Sequence, residues 1–171
     1  MTRYVAFLRG VSPVNARMPD LVRSFEAAGH AHVRTVLSSG NVLFEARTAS
    51  EATLERKAGA AMEQVLGRRF HPIVRSAAFL AELLESDPFA AWSVPAGAKR
   101  VVTFSRKALQ PAVALPFEQD GARLLAVDDR QAYTAYVPGP SGPVFMTLIE
   151  RAFGKEVTTR TWDTVARCVR G

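Results

Sequence analysis

Five consecutive apolar residues, Tyr4-Val5-Ala6-Phe7-Leu8, open the chain and stop abruptly at Arg9-Gly10. A run this short and this continuous predicts a strand buried on both sides or central in its sheet. From Met18 to Ala28 the apolar positions Leu21, Val22, Phe25 and Ala28 recur at helical spacing. Pro19 and Asp20 suit the first turn of that helix, and Gly29 suits its end. Val33–Leu37 and Val42–Glu45 read as strands joined by the turn Ser38-Ser39-Gly40-Asn41. Glu51–Leu66 is helical in period through Leu54, Ala58, Ala61, Met62 and Val65, with Gly67 after it. Phe70–Arg75 is a strand whose Pro72 belongs on a sheet edge. The order β-α-β-β-α-β is that of a ferredoxin-like split β-α-β unit.

The second half is less regular. Ser76 caps a short helix through Leu84, which Asp87-Pro88 ends, and 93–98 forms a connection. Val101–Ser105 is a strand, and Leu109–Phe117, with two prolines, is irregular or a broken helix. Arg123–Val127 and Ala132–Val137 pair around Asp128-Asp129-Arg130-Gln131. Pro138–Pro143 is a loop by composition. Phe145 to Ala152 and Trp162 to Val169 form two closing helices, with Thr159 or Thr161 capping the last. The expectation is an α+β protein: a ferredoxin-like subdomain over 1–76, a helix and linker over 77–98, and a second small α+β subdomain over 99–171.

Composition narrows the function classes. The 171 residues are 48% hydrophobic and 22% charged, ordinary for a globular protein. No apolar run reaches the length of a membrane span, and nothing at the start resembles a secretory signal. Cys168 is the single cysteine. No disulfide framework is expected, and a cytoplasmic setting fits. The net charge of +6 raises the question of nucleic acid. Lys99, Arg100, Arg106 and Lys107 lie within twelve residues that hold no acid, but Phe104 is the single aromatic residue among them, too few for a base-stacking surface.

Several segments together resemble a known family. The start Tyr4-Val5-Ala6-Phe7-Leu8-Arg9-Gly10-Val11, the turn Ser39-Gly40-Asn41-Val42 before Phe44, the break Asp87-Pro88-Phe89 and the ending Thr158–Val165 are similar to the DUF1697 family, a bacterial domain of unknown function. The resemblance runs the length of the chain in the right order. It implies two α+β subdomains and no established activity or cofactor. Two places depart from the pattern. Ser12-Pro13-Val14-Asn15 stands where members carry Asn-Val-Gly-Gly, and Arg160-Thr161-Trp162 stands where they carry Arg-Asn-Trp. Pro13 lacks an N–H, and neither Pro13 nor Val14 easily takes positive φ, which weakens any close backbone approach to a ligand there.

The split topology makes a geometric prediction. Strands one and two run parallel with strand three between them, so the end of strand one meets the turn before strand three. Arg9, Gly10, Asn15, Ser38, Ser39, Gly40 and Asn41 would then converge, offering charge, hydroxyls, amides and turn N–H groups to a small anionic or nucleotide-like ligand. The competing reading is that Gly40-Asn41 supplies a tight turn and Arg9 is simply solvated. Arg160, at a predicted helix N-terminus, is a further anion-binding candidate. His30 and His32 stand two apart with no Cys/His cluster near them, so no metal site is expected. Cys168 has no evident base beside it. No nucleophile–base pair or phosphate-loop motif is present, and whether the chain is an enzyme stays open. Nucleic-acid binding by the basic surface remains the alternative.

Overall fold

A computed structural model describes residues 1–140, Gly142 and 145–171. Of the predicted Pro138–Pro143 loop, Ser141 and Pro143 lie outside the described residues. The chain divides into two compact units: Met1–Leu83 with Ala166–Gly171, and Leu84–Val165.

The first unit contains β1 (Thr2–Phe7), α1 (Met18–Ala27), β2 (Ala31–Thr35), β3 (Asn41–Ala46), α2 (Glu51–Leu66), β4 (Ile73–Ser76) and the start of α3 (Ala77–Ser86). Its sheet has the order β2-β3-β1-β4, and β1 pairs antiparallel with both β3 and β4. This is the split β-α-β order expected, with the apolar first strand central and Pro72 directly before an edge strand. Alternation sorts β1 and β3 onto two faces. Tyr4, Ala6, Leu8, Val42 and Phe44 join Leu21, Phe25, Leu54, Ala58 and Met62 of α1 and α2 in one core. Val5 and Leu43, on the other face, are also buried.

The longest helix, α2, is capped at both ends as its sequence dictates. Ser50 Oγ accepts from the Thr53 N–H at 3.1 Å, and Gly67 closes α2 at φ +75°. Glu55 reaches back from α2 to accept from the Val74 N–H at 2.9 Å, and Arg75, 1% exposed, donates to Glu51 at 3.0 Å. α2 is thus tied to the β4 edge by charge as well as by packing. The last residues, grouped by sequence with 99–171, pack with this unit. Arg3 donates to the Gly171 carbonyl at 3.1 Å, and a Cβ placed on Gly171 would lie 3.2 Å from Leu43 and 3.4 Å from Val36.

The second unit is a five-stranded sheet, β6-β7-β8-β5-β9, formed by β5 (Lys99–Ser105), β6 (Phe117–Gln119), β7 (Ala122–Asp128), β8 (Gln131–Tyr136) and β9 (Val157–Thr161). α4 (Phe145–Phe153) places Leu148 and Ala152 against Ala122, Leu124 and Ala132, and Phe145 stacks on Tyr136 at 4.4 Å. α5 (Trp162–Arg170) begins in this unit, and Thr161 Oγ1 accepts from the Thr164 N–H at 3.2 Å. The strand β9 is absent from the sequence reading. Its residues Val-Thr-Thr-Arg-Thr carry no apolar alternation, and only pairing with β5 makes them a strand.

Candidate functional site

The predicted corner forms. Phe7 pairs with Asn41, the Leu8 N–H donates to the Gly40 carbonyl at 2.8 Å, and the Arg9 N–H donates to the Phe70 carbonyl at 2.8 Å. The end of β1 therefore lies between the 38–41 turn and the segment entering β4. Gly40 sits at φ +86°, where a Cβ would come within 3.1 Å of Val11 and 3.2 Å of Leu8. Both the backbone angle and the space require glycine there.

Within this corner the residues divide by job. Asn15 donates from Nδ2 to the Gly10 carbonyl at 2.7 Å and accepts at Oδ1 from the Ser12 N–H at 2.9 Å. Its amide thus closes the 10–15 loop on itself. Asn41, fully buried, donates to the Val36 carbonyl at 2.9 Å and to Ser39 Oγ at 3.2 Å. Gly10 takes φ +70° with open space around it. Ser38 and Ser39 are exposed at the turn. Arg9 is half-buried, and among the described residues its guanidinium has no ion-pair or hydrogen-bond partner.

The corner also holds residues that sequence reasoning missed. The Phe70 contact brings 68–71 to the same rim, and Arg68 lies over the Phe70 ring at 5.2 Å. Phe70 and His71 are consecutive non-glycine residues at positive φ, +52° and +39°, and Leu37 on the turn is at +59°. Such angles carry a steric cost. No motif announces this segment; only the pairing of β4 with β1 puts it there.

Arg160 lies in the second unit, on the edge strand β9 rather than in the helix that follows. It donates to Thr158 Oγ1 and to the Thr159 carbonyl, both at 2.7 Å, so its guanidinium turns along its own strand. The histidine pair separates. His30 is buried against Phe44 at a ring distance of 4.5 Å, and its pKa is lowered by burial and then by Lys57. His32 is exposed and meets Glu45 at 3.0 Å. No cluster of three metal-ligating side chains occurs among the described residues. No helix among them is long and apolar enough to cross a membrane.

With this geometry in place the chain can be set beside known proteins. A protein family of unknown function, DUF1697, matches residues 1–133. The chain belongs to the DUF1697 family. The match takes in the first unit's sheet and the second through Tyr133. The Thr158–Val165 ending that also resembles the family lies beyond it. Among solved structures, a conserved bacterial protein from Streptococcus pneumoniae superposes with a TM-score of 0.69 at 16% identity, covering 99% of this chain and 97% of that one. At that identity the likeness is one of fold. No curated protein sequence matches the chain.

Proposed function

We propose that this DUF1697 protein binds a small anionic or nucleotide-like ligand at the rim formed by the 9–17 loop and the 38–41 turn. One observation carries the reading: Arg9, half-buried and held by its backbone between two neighbouring segments, has no carboxylate to neutralise it among the described residues. A guanidinium with restricted access to water is a strong partner for phosphate or carboxylate. Arg68, Ser38 and Ser39 supply further donors, while Asn15, Asn41 and the glycines Gly10 and Gly40 hold the loop and turn in shape. Arg160 is not needed for this site.

The test is thermal unfolding of the full chain with inorganic phosphate, pyrophosphate and a nucleoside monophosphate. A ligand at a hundredfold excess over its Kd adds about 2.7 kcal/mol, which is roughly 5–10 °C for a chain of this length. The expected result is such a shift in the wild type and its loss in Arg9→Ala. No shift with any of the three, or an equal shift in Arg9→Ala, overturns the reading.

A second reading, nucleic-acid binding, is favoured by where the charge lies. The first unit holds 13 basic residues against 7 acidic ones, and the second holds 9 against 9. The net +6 therefore belongs wholly to the first unit, and the Lys99–Lys107 stretch is neutralised within its own. Binding of a single-stranded oligonucleotide that falls steeply with salt, and that reversal of Arg9 and Arg68 abolishes, would support this alternative. No retardation at low salt removes it.

A further inference from the structure

A cavity of about 300 Å³ opens in the second unit, between the 93–98 connection and one end of the sheet. Strand register builds its sheet side. Glu118 of β6 stands opposite Arg123 of β7, which stands opposite Ala135 of β8. Their neighbours Ala122 and Leu124 pack with α4, and Gln119 accepts from Arg151 of that helix, so Glu118, Arg123 and Ala135 share the other face. The connection supplies the facing wall through Val94, Pro95 and Ala98, held in a turn by the Ala98 N–H on the Pro95 carbonyl at 3.1 Å. Ala135 is buried. Pro95 and Val137, however, are exposed, and Val94 and Ala98 are half-buried, so the apolar surface open to a ligand is that of the walls.

Opposite charges directly across two strands stabilise a sheet when they close into a pair. Arg123 and Glu118 do not close. The Arg123 guanidinium lies over the Trp92 ring, 5.4 Å from its centroid, and among the described residues neither side chain has a salt bridge or hydrogen bond. Arg123 is half-buried, so it is partly desolvated while its fork of N–H donors stays unspent. The cavity thus carries one cation and one anion on neighbouring strands, with apolar walls beside them. A simple anion would meet Arg123 but lie next to Glu118, and a simple cation would do the reverse. A neutral hydrocarbon would match neither. A small zwitterion with an apolar substituent satisfies all three features.

We infer that the cavity between the 93–98 connection and the Glu118–Arg123 strand pair is a second binding site, for an α-amino acid with an apolar side chain. The ligand's carboxylate meets Arg123, its ammonium meets Glu118, and its side chain lies against Val94, Pro95 and Val137. The site is separate from the Arg9 rim and stands or falls without it.

The test uses the full chain and four probes at neutral pH, followed by amide chemical shifts. Leucine carries all three features, 4-methylpentanoate lacks the ammonium, 3-methylbutylamine lacks the carboxylate, and glycine lacks the side chain. The expected result is saturable leucine binding that perturbs Val94, Ala98, Arg123 and Val137. Each of the other three should bind at least about tenfold more weakly, since each forfeits a charge-assisted contact or the apolar one. Glu118→Gln should weaken leucine about tenfold or more and should not weaken 4-methylpentanoate, which has no ammonium to lose. Arg123→Gln should weaken leucine and not 3-methylbutylamine. Glu118 is exposed, so its variant should fold, and an unchanged melting temperature checks this. Absence of saturable leucine binding, equal binding of 4-methylpentanoate, unaffected leucine binding in Glu118→Gln, or shifts confined to the first unit would each overturn the proposal. Phosphate-dependent stabilisation that Arg9→Ala abolishes reports on the rim alone, so the two sites can fail independently.

Discussion

The two units are both antiparallel sheets with helices, yet they manage polar groups in opposite ways. In the first unit the buried polar atoms are mostly employed: Glu55 holds the Val74 amide, Arg75 holds Glu51, and Asn41 holds the Val36 carbonyl. In the second, Thr103, Thr134 and Tyr133 bury hydroxyls that have no hydrogen-bond partner among the described residues. The first unit also carries the entire net charge, and among the described residues the Arg9 guanidinium has no partner. His30 Nε2 is the first unit's exception, a buried nitrogen without a hydrogen-bond partner among the described residues. The second unit has the reverse balance, a neutral surface charge count over an interior that tolerates polar strain.

This contrast can be broken most forcefully at Arg75. Replacing it with Met removes its hydrogen bonds to Glu51, which at 30% exposure stays partly solvated, and to the Val74 carbonyl, and should cost about 3 kcal/mol. Urea unfolding would measure it, and a neutral outcome would mean the first unit's interior does not depend on its polar ties. Glycine offers a matched pair across the units. Gly40→Ala meets both a positive φ and contacts at 3.1–3.2 Å, and should cost about 2–3 kcal/mol. Gly121→Ala in the second unit meets the φ penalty with open space, and should cost only about 1 kcal/mol. Equal losses would show that the turn's packing on Leu8 and Val11 contributes nothing.

Smaller effects of opposite sign are expected from the unpartnered hydroxyls. Thr134→Val keeps the shape and removes a buried oxygen, so it should stabilise by about 1 kcal/mol. The corresponding removal of a satisfied group in the first unit, Asn41→Leu, should destabilise. Acid and alkali separate the units as well. His30 has a folded-state pKa below the ordinary 6.5 because burial disfavours its cation. The unfolded chain therefore takes up the proton first, and stability that is full above pH 6.5 declines as pH falls below it. Tyr133 is pushed up to about 12, first by burial and then by Asp128. Here the unfolded chain loses its proton first, so stability holds below pH 10 and declines between pH 10 and 12. Unfolding followed across pH in His30→Phe and Tyr133→Phe should flatten the acid and alkaline limbs respectively.

How much could be read beforehand differs between the units for a physical reason. The first unit's elements are amphipathic or wholly apolar, so Tyr4–Leu8, Leu21–Phe25 and Leu54–Met62 declare their period directly. The second unit's β9 is Thr-rich and was invisible, because its strand character comes from hydrogen bonds to β5 rather than from its own side chains. Likewise the meeting of β1's end with the 38–41 turn follows from strand order, which element sequence predicts. The arrival of Arg68 and Phe70 at that rim depends on register.

From the sequence alone came the family, the α+β class, the split strand order and the corner at Arg9, because these rest on local periodicity and on a topology with few alternatives. Folding in three dimensions decided which polar side chains are spent and which are left over. Asn15 and Asn41 read as candidate contacts until their amides are seen bonded to the Gly10 and Val36 carbonyls. A side chain's availability depends on its neighbours in space, and those are set by strand register and chain return, neither of which any short stretch of residues encodes.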